Sequence, residues 1–169
     1  MKDECIAFEL PDGTVRYATC PVRYKKPGET KTQWLLRAFH KTVAGNPDFA
    51  AAKRILNPVM PDGGPLTPGQ PKQFHAAWRH AGGGQIVVDM PAARKLKMDQ
   101  IRAEREGRFP PLDAEWMKAM GQGNSAAGAA IEAKRQHLRE LPQTVDLEAI
   151  ATPEELETFE PAWPTEPRG

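Results

Sequence analysis

The sequence predicts an α+β fold: a small hairpin-plus-helix unit, then a short strand, a helical hairpin and an extended acidic tail. Three observations lead there. Apolar and polar residues alternate on both sides of Pro11-Asp12-Gly13-Thr14, the pattern of a β-hairpin. Charged runs with apolar residues at helical spacing begin at Thr30 and at Met90. Between them, residues 57–71 carry five prolines, which fix φ and remove donors, so no regular element can persist there. The expected organisation is a β-hairpin and helix over residues 1–56, a Pro/Gly-rich linker over 57–72, a strand and helical hairpin over 73–141, and an acidic tail with a short helix over 142–169.

Asp12-Gly13 suits the positive φ angles of a two-residue type I′ turn. That turn sets Leu10 opposite Val15, Phe8 opposite Tyr17 and Ile6 opposite Thr19 on an apolar face, with Glu9–Arg16 and Ala7–Ala18 on a polar one. It also sets Cys5 opposite Cys20, at a hydrogen-bonded site whose wider spacing fits a disulfide poorly, so reduced thiols are expected. From Thr30 to Val43, Trp34 or Leu35, Ala38 or Phe39, and Val43 mark an amphipathic helix packed on the hairpin. Gly45-Asn46-Pro47-Asp48 ends it, and Asn46 with Pro47 starts a further short helix through Ala52. Ile55-Leu56 either closes that helix or forms a short strand.

Phe74 and Trp78, four apart, predict a helical turn with two aromatics on one face. Gly82-Gly83-Gly84 is no phosphate cradle, because the strand follows the glycines and no Gly-Lys-Ser/Thr entry comes after them. It reads as a turn before the strand Gln85–Val88. Asp89 as N-cap and Pro91 in the first turn open a helix over about Met90–Gly107, with a thin apolar stripe of Met90, Ala93, Leu96, Met98 and Ile101. Pro110-Pro111 is expected to break it. Leu112-Asp113 then starts a short helix carrying Trp116, Met117 and Met120, interrupted by Gly121–Asn124. Ser125 caps another, with Ala127, Ile131, Leu138 and Leu141 near one face and a stop at Leu141-Pro142. Alanines at 126, 127, 129, 130 and 133 permit close approach of a neighbouring helix, in a hairpin or in an intermolecular bundle. Thr152-Pro153-Glu154-Glu155 is a capping box opening one or two turns, and Trp163 is the anchor of an otherwise acidic, proline-rich end.

At 169 residues the chain allows one ordinary domain or two small ones. Its net charge of +1 hides an asymmetry: +4 over residues 1–60, +3 over 90–141 and −6 over 142–169. The acidic end is expected to be a solvated terminus, the other readings being that it folds back on the basic helices or presents its charge to a partner. No apolar run approaches the roughly 20 residues of a membrane span, and Met1-Lys2-Asp3-Glu4 does not begin a secretory signal, so a cytosolic site of synthesis and no membrane insertion are expected.

The residues that could carry chemistry form no pattern. His75 and His80, five apart, do not share a helix face as a metal pair would, and His40 and His137 stand alone. Asp99, Glu104, Glu106 and Glu132 are spaced among Lys and Arg as on an ion-paired helix surface. No catalytic residue, cofactor or metal ligand is expected. Arg94, Lys95, Lys97, Arg102, Arg105 and Arg108 would suit a nucleic acid, but the same helix carries acids and the chain is near neutral, so nucleic acid is not the expected partner.

Phe74-x-x-Ala77-Trp78, the short strand, Val88-Asp89-Met90 with Ala93-Arg94, and Ile101-Arg102 with Arg105 together resemble a family of small tailed-phage and prophage tail-associated proteins. The likeness runs on through Leu112-Asp113, Met117, Lys134-x-x-x-Leu138-Arg139-x-x-Pro142, and Thr152-Pro153 with Leu156, covering about residues 74–160. The arginine-rich helix and the Leu138-Arg139-x-x-Pro142 ending are also similar to the phage tail assembly chaperone-like domain. The chain departs from that domain at Pro110-Pro111-Leu112-Asp113-Ala114-Glu115-Trp116, where a Trp-x-x-Leu-Pro-Asp segment is common. The resemblance implies a non-enzymatic structural component of a phage tail, in the baseplate or tail-fibre region, located in the virion and in the host cytoplasm during assembly. Other tail proteins are the implied partners, with self-association left open. A transient tail or tail-fibre chaperone is the first alternative and a nucleic-acid-binding accessory the second. Phe74, Trp78, Trp116, Ile131, Leu138 and Trp163 are the expected partner-binding residues.

Overall fold

The computed structural model describes residues 2–68 and 74–164. The chain is α+β and forms two compact units, Met1–Ala93 and Arg94–Gly169. The expected linker is not where it divides. Five prolines preclude a regular element over 57–71 but not burial: Met60 and Leu66 sit in the first unit's core with Cys5, Ala7, Val15, Ile55, Trp78 and Ile86. The backbone of Val59 donates to Gly84 O (2.9 Å) and accepts from Ile86 N (2.8 Å), so this stretch is wired in by hydrogen bonds as well. Residues 69–72 of the expected linker, Gln73, and residues 165–169 of the expected tail lie outside the described residues.

In the first unit, β1 (Glu4–Glu9), β2 (Val15–Cys20) and β3 (Lys53–Ile55) form an antiparallel sheet in the order β2-β1-β3. The hairpin forms, but its register is one residue away from the expected one: Cys5 faces Thr19, Ala7 faces Tyr17 and Glu9 faces Val15. Pro11 is the cause. A two-residue turn would ask the residue at position 11 to donate its N–H to the ladder, and proline has none. Instead Leu10 N donates to Thr14 O (2.8 Å), Gly13 N donates to Leu10 O (2.9 Å), and Gly13 takes φ +80°, a three-residue loop with Pro11 in the turn. A slip of one exchanges the faces, so Val15 and Tyr17 join Cys5 and Ala7 on one side while Ile6, Phe8 and Cys20 lie on the other. Cys5 and Cys20 are therefore thiols on opposite faces. Burial, and secondarily the neighbouring Cys5, pushes the Cys20 thiol up to about 11.

No polar face exists, because β1 is central and packed on both sides. α1 (Lys31–Ala44) covers one side with Trp34, Leu35 and Phe39, and Phe8 meets Phe49 edge-on at 5.1 Å between ring centroids. A capping box starts α1, with Gln33 N donating to Thr30 Oγ1 and Thr30 N donating to Gln33 Oε1. The helix expected over residues 47–52 is a single 3-10 turn, Pro47–Phe49, capped by Asn46. The connector before α1 is tied down by Glu29, which accepts from Arg37 Nε and Nη2 (both 2.8 Å) and from Lys26 N (2.9 Å). Arg37 beside it, then the Lys26 amide, holds the Glu29 carboxyl at about 2, below its ordinary 4.5. A depressed folded value means the stabilisation is fully present above 4.5 and is lost as pH falls through 2. Glu29→Gln is expected to remove that part of the acid-dependent stability loss, read as a shallower unfolding-midpoint profile between pH 4.5 and 2.

On the other side of the sheet lie the segment around Met60 and Leu66 and a second antiparallel pair, β4 (Trp78–His80) and β5 (Ile86–Val88). Trp78 thus belongs to a strand, not to the expected helical turn. Phe74 takes a left-handed φ of +52°, one 3-10 turn spans His75–Ala77, and extended backbone begins at Trp78. The glycine loop joins the two strands. Gly84, with φ +85°, is a contact point: a Cβ there would lie 2.6 Å from Leu56 O and 2.7 Å from Asn57 O.

The second unit is helical. α2 spans Met90–Gly121, its start capped by Asp89, whose Oδ1 accepts from Ala92 N (3.3 Å). The break expected at Pro110-Pro111 does not occur. Two interior prolines remove the bonds to the carbonyls of Glu106 and Gly107, but both residues are exposed and water can serve those oxygens. The flanking turns are held by burial, at Ile101 before the prolines and Ala119 after them. α3 (Ser125–Thr144) follows, capped by Asn124 rather than Ser125 and running past Pro142. α4 (Pro153–Thr158) opens with the expected capping box of Thr152 and Glu155.

The expectation of a solvated acidic terminus is corrected over its described part. Leu147, Leu156 and Pro161 are buried, as are Ile101, Leu138 and Leu141 of the two long helices. Arg94 donates to Glu148 Oε2 (2.9 Å) and Ile150 O (2.7 Å), buried Lys97 donates to Glu157 O (3.1 Å), and His137 Nε2 lies 2.8 Å from Ala162 O. The acidic end is a strap on the basic helices, because leucines at its turns bury there and cations satisfy its carbonyls.

Candidate interaction surface

The second unit closes its helix pair at one end with a tight turn. Gly123 takes φ +68°, and Asn124 Oδ1 accepts from Ala127 N (3.0 Å) to start α3. One turn further, Gly128 is buried, and a Cβ there would lie 3.0 Å from Met120 Sδ and 4.0 Å from Trp116 Nε1. Its missing side chain lets Met120 and Trp116 of α2 lie directly against α3. Arg135 fixes the other end of this contact: its Nε lies 2.9 Å from Asp113 Oδ1 and its guanidinium 5.8 Å from the Trp116 ring centroid. Glu132 pairs with both Arg139 and Arg135, which hold its carboxyl below the usual range, Arg139 contributing most.

The end so fixed is open to water and presents apolar side chains among polar ones, Lys118, Gln122, Asn124 and Ser125. Met117 is 69% exposed and Met120 49%, and on α3 Ala126, Ala129, Ala130 and Ala133 are exposed. Methionine is flexible and polarisable, suited to irregular partner surfaces, and small neighbours allow a partner backbone close approach.

The six expected partner-binding residues divide. Phe74, Trp78 and Leu138 are buried in the interiors of their units and present nothing outward; the aromatic spacing and helical face that singled them out are core signals. Trp163 is half-buried on its own chain, its ring 4.2 Å from the Arg108 guanidinium and its Nε1 donating to Glu160 Oε2 (3.3 Å). Trp116 and Ile131 are half-buried on α2 and α3, as supports of the exposed end rather than its surface. Met117 and Met120 are what the selection missed. Their spacing of three places them near each other on α2, but only the position of α3, which packs on Met120 at Gly128, decides that Met117 stays open.

The basic residues considered for nucleic acid are engaged within the chain, Lys95 apart: Arg94 and Lys97 on the strap, Arg102 on Asp99, Arg105 on Glu106, and Arg108 on Glu104 and Trp163. His80 Nδ1 lies 3.1 Å from Glu9 Oε2, and His75 packs edge-on against Tyr17. Among the described residues no group of three or more His, Cys, Asp or Glu is placed to hold a metal ion, and no helix is long and apolar enough to cross a membrane. The chain matches no family model, no curated protein and no solved structure.

Proposed function

We propose that the chain is a non-enzymatic structural component of a bacteriophage tail, in the baseplate or tail-fibre region, that binds other tail proteins through the open end of its α2–α3 pair. The observation that carries this reading is the exposure of Met117 and, in part, Met120 at the end of a helix pair that closes tightly at Gly128. Exposed large apolar side chains on an ordered scaffold suit a partner surface. The tail assignment itself rests on the sequence resemblance. Its residues in the second unit help build that unit, where Arg94 clamps the strap, Ile101, Leu138 and Leu156 are buried, and Thr152 caps α4, while Phe74, Ala77, Trp78, Val88, Asp89, Met90 and Ala93 lie in the first unit.

Quantitative mass spectrometry of purified particles from a phage or prophage encoding the chain tests the proposal. The chain is expected in mature tails at a fixed ratio to other tail proteins. Its presence in assembling lysates and absence from mature particles would replace this reading with that of a transient chaperone.

A further inference from the structure

The first unit carries a cleft of about 590 Å³ between the end of β2 and one flank of α1. Its floor is apolar and rigid: Cys20 and Trp34 are 4% and 1% exposed, with Ala38 and Phe49 beside them. Tyr24 stands on one rim, 61% exposed, and Lys41 on the other. A volume in this range, apolar below with few polar groups above, is that of a ligand site.

The charged side chains that line it, Arg37 and Lys41, are both basic, while Asp48 stands between the lining residues Asn46 and Phe49 and Asp3 accepts from Val22 N beside Pro21. Arg23, Lys25 and Lys26 flank Tyr24 on the connector, and Arg37 and Lys41 stand on α1. Glu29, the acid among them, is neutralised by Arg37, whereas Lys25, Lys26 and Lys41 form no ion pair among the described residues. The unpaired cations are spread along two elements instead of converging on one point. A ligand with a single anionic head would meet only one of them, while an extended chain with several carboxylates would meet both rims. The chain's own C-terminal segment shows the same chemistry on the second unit, where Trp163 lies against Arg108 with Glu160 beside it.

We infer that this cleft is a second docking site, taking an acidic peptide segment of a partner protein that inserts one aromatic or branched apolar side chain over Trp34 and lays its carboxylates on Lys41 and the connector lysines. The inference rests on reading the chain as a protein-interaction component, but its site is separate from the α2–α3 end and its test is independent.

The probe is a glutamate-rich decapeptide with one central phenylalanine, titrated into the isotope-labelled full-length chain and followed by NMR. Saturable binding is expected, with shifts at Thr19, Tyr24, Ala38 and Thr42. Lys41→Glu, at an exposed position that leaves the fold intact, should weaken it about tenfold or more, and replacing the peptide's glutamates by glutamine should do the same. Ala38→Trp, which fills the cleft, should abolish binding, and Ala129→Trp on α3 should not alter it. Absence of saturable binding up to millimolar peptide, equal binding of the glutamine peptide, or shifts confined to other surfaces would overturn the inference. So would tighter binding of decanoate than of the peptide, which would make the cleft a small-carboxylate site. Failure of peptide binding would leave incorporation into tails unaffected, and absence from tails would leave peptide binding unaffected.

Discussion

Leu156→Ala is expected to release the acidic strap from the second unit and to destabilise that unit by about 2–5 kcal/mol, the range for deleting a fully buried leucine side chain. Leu156 is 0% exposed on a helix of only six residues, α4, which is too short to persist without tertiary packing. Once its anchor is gone, the bonds from Arg94 to Ile150 O and from Lys97 to Glu157 O have nothing to hold them in register. The strap is rich in glutamate, so a glutamate-specific protease reads the effect directly. The parent chain should resist cleavage at Glu154, Glu155, Glu157 and Glu160, and the variant should be cut there rapidly with a lowered melting midpoint. Equal resistance in the two proteins would refute the strap.

Gly84→Ala should be nearly as damaging to the first unit, by about 2–4 kcal/mol, since backbone strain and overpacking add at one position. At φ +85° an alanine is strained whatever the space around it, and here its Cβ would fall 2.6 Å from Leu56 O and 2.7 Å from Asn57 O. Both obstacles are backbone atoms, which cannot rotate away. The segment that must shift carries Val59, whose two hydrogen bonds join the 57–68 stretch to the β4–β5 loop. Chemical denaturation should show a lower midpoint for this variant, whereas Gly83→Ala, with positive φ but open space around it, should lose only the strain component.

What could be read in the chain beforehand follows the range of the interactions involved. Three helix starts are legible because caps are local: Asn46, Asp89 and Thr152 each bond to backbone within three residues, whereas no helix starts at Leu112-Asp113 and Asn124, not Ser125, caps α3. The hairpin was legible as a hairpin, and its register was decided by a local fact given too little weight, the missing N–H of Pro11. The central position of β1 was not legible, since its second partner β3 is three residues long and carries no periodic signal. Proline content excluded a regular element over the described residues 57–68 but said nothing about burial of Met60 and Leu66. At Pro110-Pro111 the local rule lost to tertiary packing on both flanks. Charge counting described the C-terminal strap by its surface and missed Leu147 and Leu156 beneath it. For the interaction surface, the aromatics drew attention because they are large, and the structure places most of their area inside. Met117 is recognisable as open only once α3 is known to pack on Met120 and Trp116 instead.

Incorporation of a Met117→Glu variant into phage tails is the most direct measurement of the account. Met117 is 69% exposed and is not part of the Gly128 contact, so the variant should fold with an unchanged circular-dichroism spectrum and nearly the parent's melting midpoint. The account predicts that purified particles then lack it while the parent chain is present at a fixed ratio. A folded variant incorporated as well as the parent would contradict the claim that the protein is held in place through this end of its helix pair.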